Sequence, residues 1–267
     1  MGVVAGQEWQ PFAGLDAEQL ALQTFLDQVP FASEKDRRFS AASVEIPPLE
    51  SLSTGRDNTI STQAAFGRIM NGLGRGDTEL AARLVTSSPD VTVSTNLGGW
   101  VNQRGIFNRM SHEALIDEHG VRSMQKWVQA RDGQHFELGI AENNLFLFLA
   151  AAGLSGPIFG KRLLPVGTLY DPFIMRGLDA LNYACYQDAR FMLVATPSGL
   201  TLAPEGGAHQ SIATPMIGMA QDKLASFDPA FIDELAVIMR WGFEHLQADD
   251  GGSVYLRLST RSLEQPD

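Results

Sequence analysis

Phe191-Met192-Leu193-Val194-Ala195-Thr196 is an apolar run without the polar alternation of a half-wet strand. A strand with no polar face is covered on both sides, the usual condition of strands in a parallel sheet. Parallel strands need long crossovers, and helices with clear start signals stand between the strand candidates. Ser61 through Leu73 carries apolar residues at helical spacing, with Ser61 or Thr62 as cap. Asp171 to Gln187 and Asp228 to about Gln247 each open with Asp-Pro. Both read as a capping aspartate followed by a proline in the first turn, where its missing N–H costs nothing. Ala82 to Ser87, Arg162 to Val166 and Val254 to Leu258 are further strand candidates. The expected fold is α/β, a mostly parallel sheet with helices on both faces. Gly98 to Gln134 has no sustained period and predicts loops with one short helix.

Residues 1–57 differ in texture. Asp16 to Val29 predicts one amphipathic helix capped by Asp16, and Arg37 to Asn58 is Ser- and Pro-rich, as in a linker. The expected division is therefore an N-terminal helix and linker arm over 1–57 and an α/β domain over 58–267. An apolar fraction of 44% and a charged fraction of 19% leave ample material for a core. The net charge of -11 and the scattered Lys and Arg argue against nucleic acid. A single cysteine, Cys185, excludes a disulfide framework and suits a reducing cytoplasm. The N-terminus lacks the pattern of a signal peptide, and the run from Leu145 to Leu154 is too short to span a bilayer. A soluble, cytoplasmic chain is expected.

Common site motifs are missing. Gly72-Leu73-Gly74-Arg75-Gly76 follows a helix and lacks phosphate-loop spacing, and there is no Gly-x-Ser-x-Gly elbow. The histidines at 112, 119, 135, 209 and 245 are dispersed, with no zinc spacing and no metal site expected from them. Glu142 is the exception. It stands at the mouth of Leu145-Phe146-Leu147-Phe148-Leu149-Ala150-Ala151-Ala152-Gly153, apolar on every helical face and so expected to be buried. Carboxylates are almost never buried unpaired, so Glu142 needs a partner, either a ligand or its own helix N-terminus.

Ligands of open parallel sheets bind outside the carboxyl ends of the strands. Four segments fall there: Ser88-Pro89-Asp90-Val91-Thr92, the Glu142 segment, Gly167 to Phe173, and Pro204-Glu205-Gly206-Gly207-Ala208-His209. At these residues the chain resembles the pyrimidine-binding domain of thiamine diphosphate enzymes of the transketolase superfamily. It is most similar to the homodimeric E1 component of the pyruvate dehydrogenase complex. Gly139-Ile140-Ala141-Glu142 matches the family segment whose glutamate hydrogen-bonds N1′ of the aminopyrimidine. Phe173 matches the aromatic residue stacked on that ring, with Tyr170 beside it. Glu205-Gly206-Gly207-Ala208-His209 matches the loop whose histidine faces the substrate. Asp90 matches an acidic residue near the thiazolium, and Ile140 an apolar ring contact.

The resemblance implies that Glu142 and His209 are catalytic and that Glu142, Phe173, Tyr170, Ile140 and Asp90 bind cofactor, with His209 and Glu205 toward the substrate. A carboxyl sharing a proton with N1′ lets the exocyclic amine serve as an internal base, an effect of roughly 10²–10⁴-fold. Transketolases hold a sugar phosphate with an upstream histidine and an arginine in Arg-Pro-Ala. This chain has Ala195-Thr196-Pro197-Ser198-Gly199, without the histidine, and Asp228-Pro229-Ala230, so a phosphate would lose its cationic partner and meet a like charge. The implied reaction is oxidative decarboxylation of a small 2-oxo acid, with the acyl group passed to a lipoyl-bearing acyltransferase. No Gly-Asp-Gly with a following asparagine is present to hold the diphosphate through Mg2+. A diphosphate-binding domain or subunit is therefore the expected partner, within a homodimer. Ketol transfer and a non-catalytic assembly module are the alternatives.

Overall fold

The computed structural model describes residues 2–10, 12–15, 19–29, 40–52, 55, 58–109 and 127–266. Asp16, the expected cap of the first helix, lies outside these, as do His112 and His119. By contact the chain divides into two compact units, Met1–Ala42 with Gly156–Lys161, and Ser43–Ser155 with Arg162–Asp267. The boundary expected at residue 57/58 thus falls earlier, at Ala42/Ser43. Val44 and Leu52 explain why: both are buried in the α/β core, and Val44 N–H donates to Gln247 Oε1 at 2.6 Å. In the first unit, helix α1 spans Gln19–Asp27.

The second unit is built on a sheet of eight strands, all paired in parallel. They are β2 (Leu84–Ser88), β3 (Ile106–Phe107), β4 (Gln129–Ala130), β5 (His135–Glu137), β6 (Leu164–Leu169), β7 (Met192–Ala195), β8 (Leu224–Phe227) and β9 (Ser253–Arg257). Their order is β4-β3-β5-β2-β6-β7-β9-β8. A small antiparallel pair, β1 (Thr59–Ile60) and β10 (Leu263–Glu264), stands apart. The helices are α2 (Thr62–Arg75), α3 (Glu79–Arg83), α4 (Gly98–Arg104), α5 (Glu142–Gly153), α6 (Leu178–Tyr186), α7 (Thr214–Ala220) and α8 (Ile232–His245), with shorter turns between.

Successive strand side chains point to opposite faces, so a strand apolar throughout serves two cores. Met192 and Val194 of β7 join one cluster with α2 and α8, while Leu193 and Ala195 join the other with α5 and α6. Ser61 caps α2 through its hydroxyl, as its sequence position predicts. Several expected boundaries move, β6 running Leu164–Leu169 in place of 162–166. Ala82 and Arg83 close α3, capped by Thr78, and β2 starts at Leu84. Asp171 does not cap: Asp171–Gly177 forms a 3-10 turn before α6, and its carboxylate turns inward. Asp228 does not cap either. Ala230 and Phe231 N–H groups donate to Glu234 Oε2 at 2.9 and 3.0 Å, and α8 begins at Ile232.

Helix α5 is buried through Leu145, Phe146, Leu149 and Ala152, but Leu147 is 55% exposed, so the expectation of burial on every face holds only for one side. Its inner face meets the 3-10 turn at Gly177, where a Cβ would stand 2.3 Å from Phe146 Cδ2. Phe146 has no exposed surface and cannot step aside. Gly177→Ala is expected to lose about 1–3 kcal/mol of stability, as overpacked sites do, read as a lower urea midpoint at unchanged slope. An unchanged midpoint would mean that this junction relaxes freely.

Candidate functional site

Because the strands run parallel, the segments after β2, β5, β6 and β7 leave the same edge of the sheet. Glu142 is the first residue of α5 and only 9% exposed. Its side chain does not cap the helix; Oε1 accepts from Arg176 Nη1 at 2.9 Å. The Arg176 guanidinium lies over the Phe173 ring, Cζ 4.0 Å from the centroid. Phe173 in turn neighbours His209, centroids 5.2 Å apart, and Tyr170 at 5.9 Å, with Tyr170 and His209 6.3 Å apart. Glu142, Phe173, Tyr170 and His209 therefore form one connected group, joined to the carboxylate by an arginine absent from the expectation. Arg176 is three residues after Phe173, a spacing that places side chains on one side of a helical turn and could have revealed it.

Asp171 fixes this group from beneath. Its carboxylate has no exposed surface and accepts from Gly199 N–H (2.8 Å), Ser211 Oγ (2.9 Å), Thr214 Oγ1 (2.7 Å), Tyr255 OH (3.0 Å) and Arg257 Nε (3.3 Å). Burial works to raise this carboxyl, but the Arg257 and Thr214 hydrogen bonds and the arginine's charge bring it below its ordinary value. Tyr170 and Phe173 flank Asp171 in sequence, and His209 lies on the 199–214 segment tied to it. Arg257 also pairs with Asp228 at the end of β8, so its charge is shared between two carboxylates.

A second anchor is Glu137, which ends β5. Its Oε1 accepts from the N–H groups of Asp90 (2.9 Å), Leu138 (3.1 Å) and Gly139 (3.3 Å), joining the Asp90 loop to the Gly139–Glu142 segment. Thr92 Oγ1 donates to Glu137 Oε2 at 2.7 Å. The buried His135 ring bridges the Thr92 hydroxyl at 3.0 Å and the Thr86 hydroxyl at 2.9 Å. Asp90 holds a left-handed backbone, φ 63°, within this loop. Burial would raise the Glu137 carboxyl, yet His135, Thr92 and the Asp90 N–H outweigh it and hold it at about 2.

Two expected residues stay at the margin. Ile140 is 75% exposed, and Glu205 is exposed on the short turn before His209. His135, Glu137, Asp171 and Arg176 are the site-building residues that sequence reasoning passed over. Among the described residues no group of three or more His, Cys, Asp or Glu is placed to hold a metal, and no helix is long and apolar enough to cross a membrane.

Glu137 yields a pH test. Its folded value, about 2, lies below the ordinary 4.5, so its stabilisation is complete above pH 4.5 and is lost as pH falls toward 2. The shift corresponds to at most about 3 kcal/mol, reduced by solvent screening. Glu137→Gln is expected to be less stable than the parent at pH 7, with the gap in melting temperature closing below pH 4.5. A gap that persists unchanged at pH 3 would remove this role.

The chain matches the family model described as the pyruvate dehydrogenase E1 component middle domain over residues 48–266. It is 28% identical over 240 residues to the pyruvate dehydrogenase E1 component of Corynebacterium glutamicum, covering 86% of this chain and 26% of that one. It is 30% identical over 213 residues to the one from Pseudomonas aeruginosa, covering 77% of this chain and 24% of that one. It thus spans about a quarter of the length of these relatives. Among solved structures it resembles the transketolase from Campylobacter jejuni, with a TM-score of 0.60 at 16% identity, covering 94% of this chain and 31% of that chain. That likeness bears on the fold alone, while the match over residues 48–266 places the chain in the pyruvate dehydrogenase E1 middle-domain family.

Proposed function

We propose that this chain forms the aminopyrimidine side of a thiamine diphosphate site in a 2-oxo acid dehydrogenase of the pyruvate dehydrogenase E1 type. The observation that carries the reading is the Glu142–Arg176–Phe173 arrangement. A buried carboxylate beside a ring already holds a flat group through a shared N–H, and an aminopyrimidine has that shape and a ring nitrogen, N1′, that can share a proton with the carboxyl. When bound, thiamine diphosphate supplies a nucleophilic carbon and an electron sink. Glu142 would hold the proton at N1′, and Phe173 with Tyr170 would set the plane of the ring. His209 would hold a proton at the substrate oxygen, with Glu205 nearby in sequence. Asp90, positioned through Glu137, would face the thiazolium side, and Ile140 would be an apolar contact to the ring system.

The substrate reading is a small 2-oxo acid, decarboxylated oxidatively, with the acyl group passed to a lipoyl-bearing acyltransferase. What supports it over ketol transfer from a sugar phosphate is Asp228 with Arg257. A phosphate near the end of β8 would meet the Asp228 carboxylate and a buried arginine whose charge is already committed to Asp171 and Asp228. A diphosphate-binding domain or subunit would hold the other end of the cofactor and its Mg2+, in a dimeric cytoplasmic assembly.

Reconstituted with a diphosphate-binding partner, thiamine diphosphate, Mg2+, a 2-oxo acid and an artificial electron acceptor, the chain is expected to turn over. Glu142→Ala should reduce that turnover by roughly 10²–10⁴-fold. No turnover, or none lost in the variant, would leave the non-catalytic assembly module standing; ketol transfer from a sugar phosphate would reassign the substrate. Calorimetry on the chain alone is expected to show weak binding of thiamine diphosphate, with or without Mg2+. Tight, metal-dependent binding there would refute the division of the site.

A further inference from the structure

We propose that Arg176 is the resident occupant of the Glu142–Phe173 seat, and that a planar ligand whose ring nitrogen shares a proton with Glu142 enters only by displacing it. The proposal rests on the aminopyrimidine reading of that seat and adds an exchange step that governs apparent affinity and selectivity. Arg176 engages both groups that the reading assigns to the ligand: its Nη1 donates to Glu142 Oε1 at 2.9 Å, and its Cζ lies 4.0 Å over the Phe173 ring. One ring face and one carboxylate edge cannot serve two flat groups at once.

The two partners differ in freedom. The Arg176 side chain is 48% exposed, whereas Glu142 is 9% exposed at the head of a packed helix. Arg176 can swing into water without leaving a void; Glu142 cannot follow. The backbone under Arg176 is held at Asp171 and pressed against Phe146 at Gly177, so the motion is confined to the side chain. A buried carboxylate stripped of its cation is unfavourable, so the seat favours occupancy by some donor. Arg176 supplies it in the resting chain. A ligand that stacks with no nitrogen to share a proton with Glu142 would leave the carboxylate uncompensated and is rejected. A flat ligand whose ring nitrogen shares a proton with the Glu142 carboxyl satisfies both groups and competes.

An occupied seat lowers apparent affinity by the fraction of chains in which it is open. Titration of the full chain with thiamine, followed by NMR, is expected to give about tenfold tighter binding in Arg176→Ala than in the parent, equal to about 1.4 kcal/mol. Methylguanidinium should compete with thiamine in that variant by refilling the vacated place. Arg176→Lys keeps the charge but loses the flat stack, and should bind about threefold tighter than the parent. It carries the test should Arg176→Ala fail to fold. Binding no tighter in either variant, with Glu142→Gln still weakening it, overturns the displacement and leaves the aminopyrimidine seat intact. Thiamine binding indifferent to both Glu142→Gln and Phe173→Ala, or no binding in any variant, overturns the seat and the displacement together.

Discussion

The Asp171 carboxylate is the interaction on which the arrangement at the sheet's carboxyl edge depends. It sits just beyond β6 with no exposed surface, a position a charge can hold only when donors saturate it. They come from distant parts of the chain: Tyr255 and Arg257 from β9, Thr214 from α7, Ser211 and the Gly199 N–H from the segment after β7. Burial and the Asp171 charge push the Tyr255 hydroxyl far up, so it donates to the carboxylate instead of ionising beside it. Removing one member of such a buried pair costs about 3–5 kcal/mol, because the other charge stays behind. Here the loss would also release the aromatic pair, Tyr170 and Phe173, from the segment that carries His209.

Much of the fold was legible because the signals that specify it are local. The unbroken apolar run of β7 declared a strand covered on both faces, and the Ser61 hydroxyl sits where a cap must sit to reach Ala64 N–H. Asp171 and Asp228 misled for the same reason. Asp-Pro is a strong local signal for a helix start, while the partner that outcompetes it, Arg257, lies 86 and 29 residues further on. A local pattern carries no trace of an ion pair made across strands. The two- to four-residue strands β3, β4, β5 and β8 were invisible for a related reason: they are too short to show a period and exist through pairing with their neighbours. The site followed the same division. Glu142, Phe173, Tyr170 and His209 do come together; Asp90 joins only through Glu137, whose role depends on loop backbone no spacing rule describes; and Ile140 stands in solvent.

Three carboxylates at one edge of the sheet show how to tell a structural acid from a working one. Asp171 accepts from five different residues, and Glu137 accepts from three backbone N–H groups and a hydroxyl. Each is depressed below its ordinary value despite burial, the signature of a negative charge fully matched by its surroundings. Such a group has little left to offer a ligand. Glu142 is buried more deeply than Glu137, yet it is held by one arginine that water half surrounds. A buried acid held by a removable cation, next to an aromatic ring and at the head of a packed helix, opens to a ligand when that cation swings away. Saturation of the first two makes the edge rigid; incomplete saturation of the third leaves a position where binding energy can be gained. The division also explains why Arg176 and Arg257 cannot exchange roles. Arg257 is locked between two carboxylates in the core, whereas Arg176 is the one of the pair able to leave, and a site that opens needs a cation of that kind.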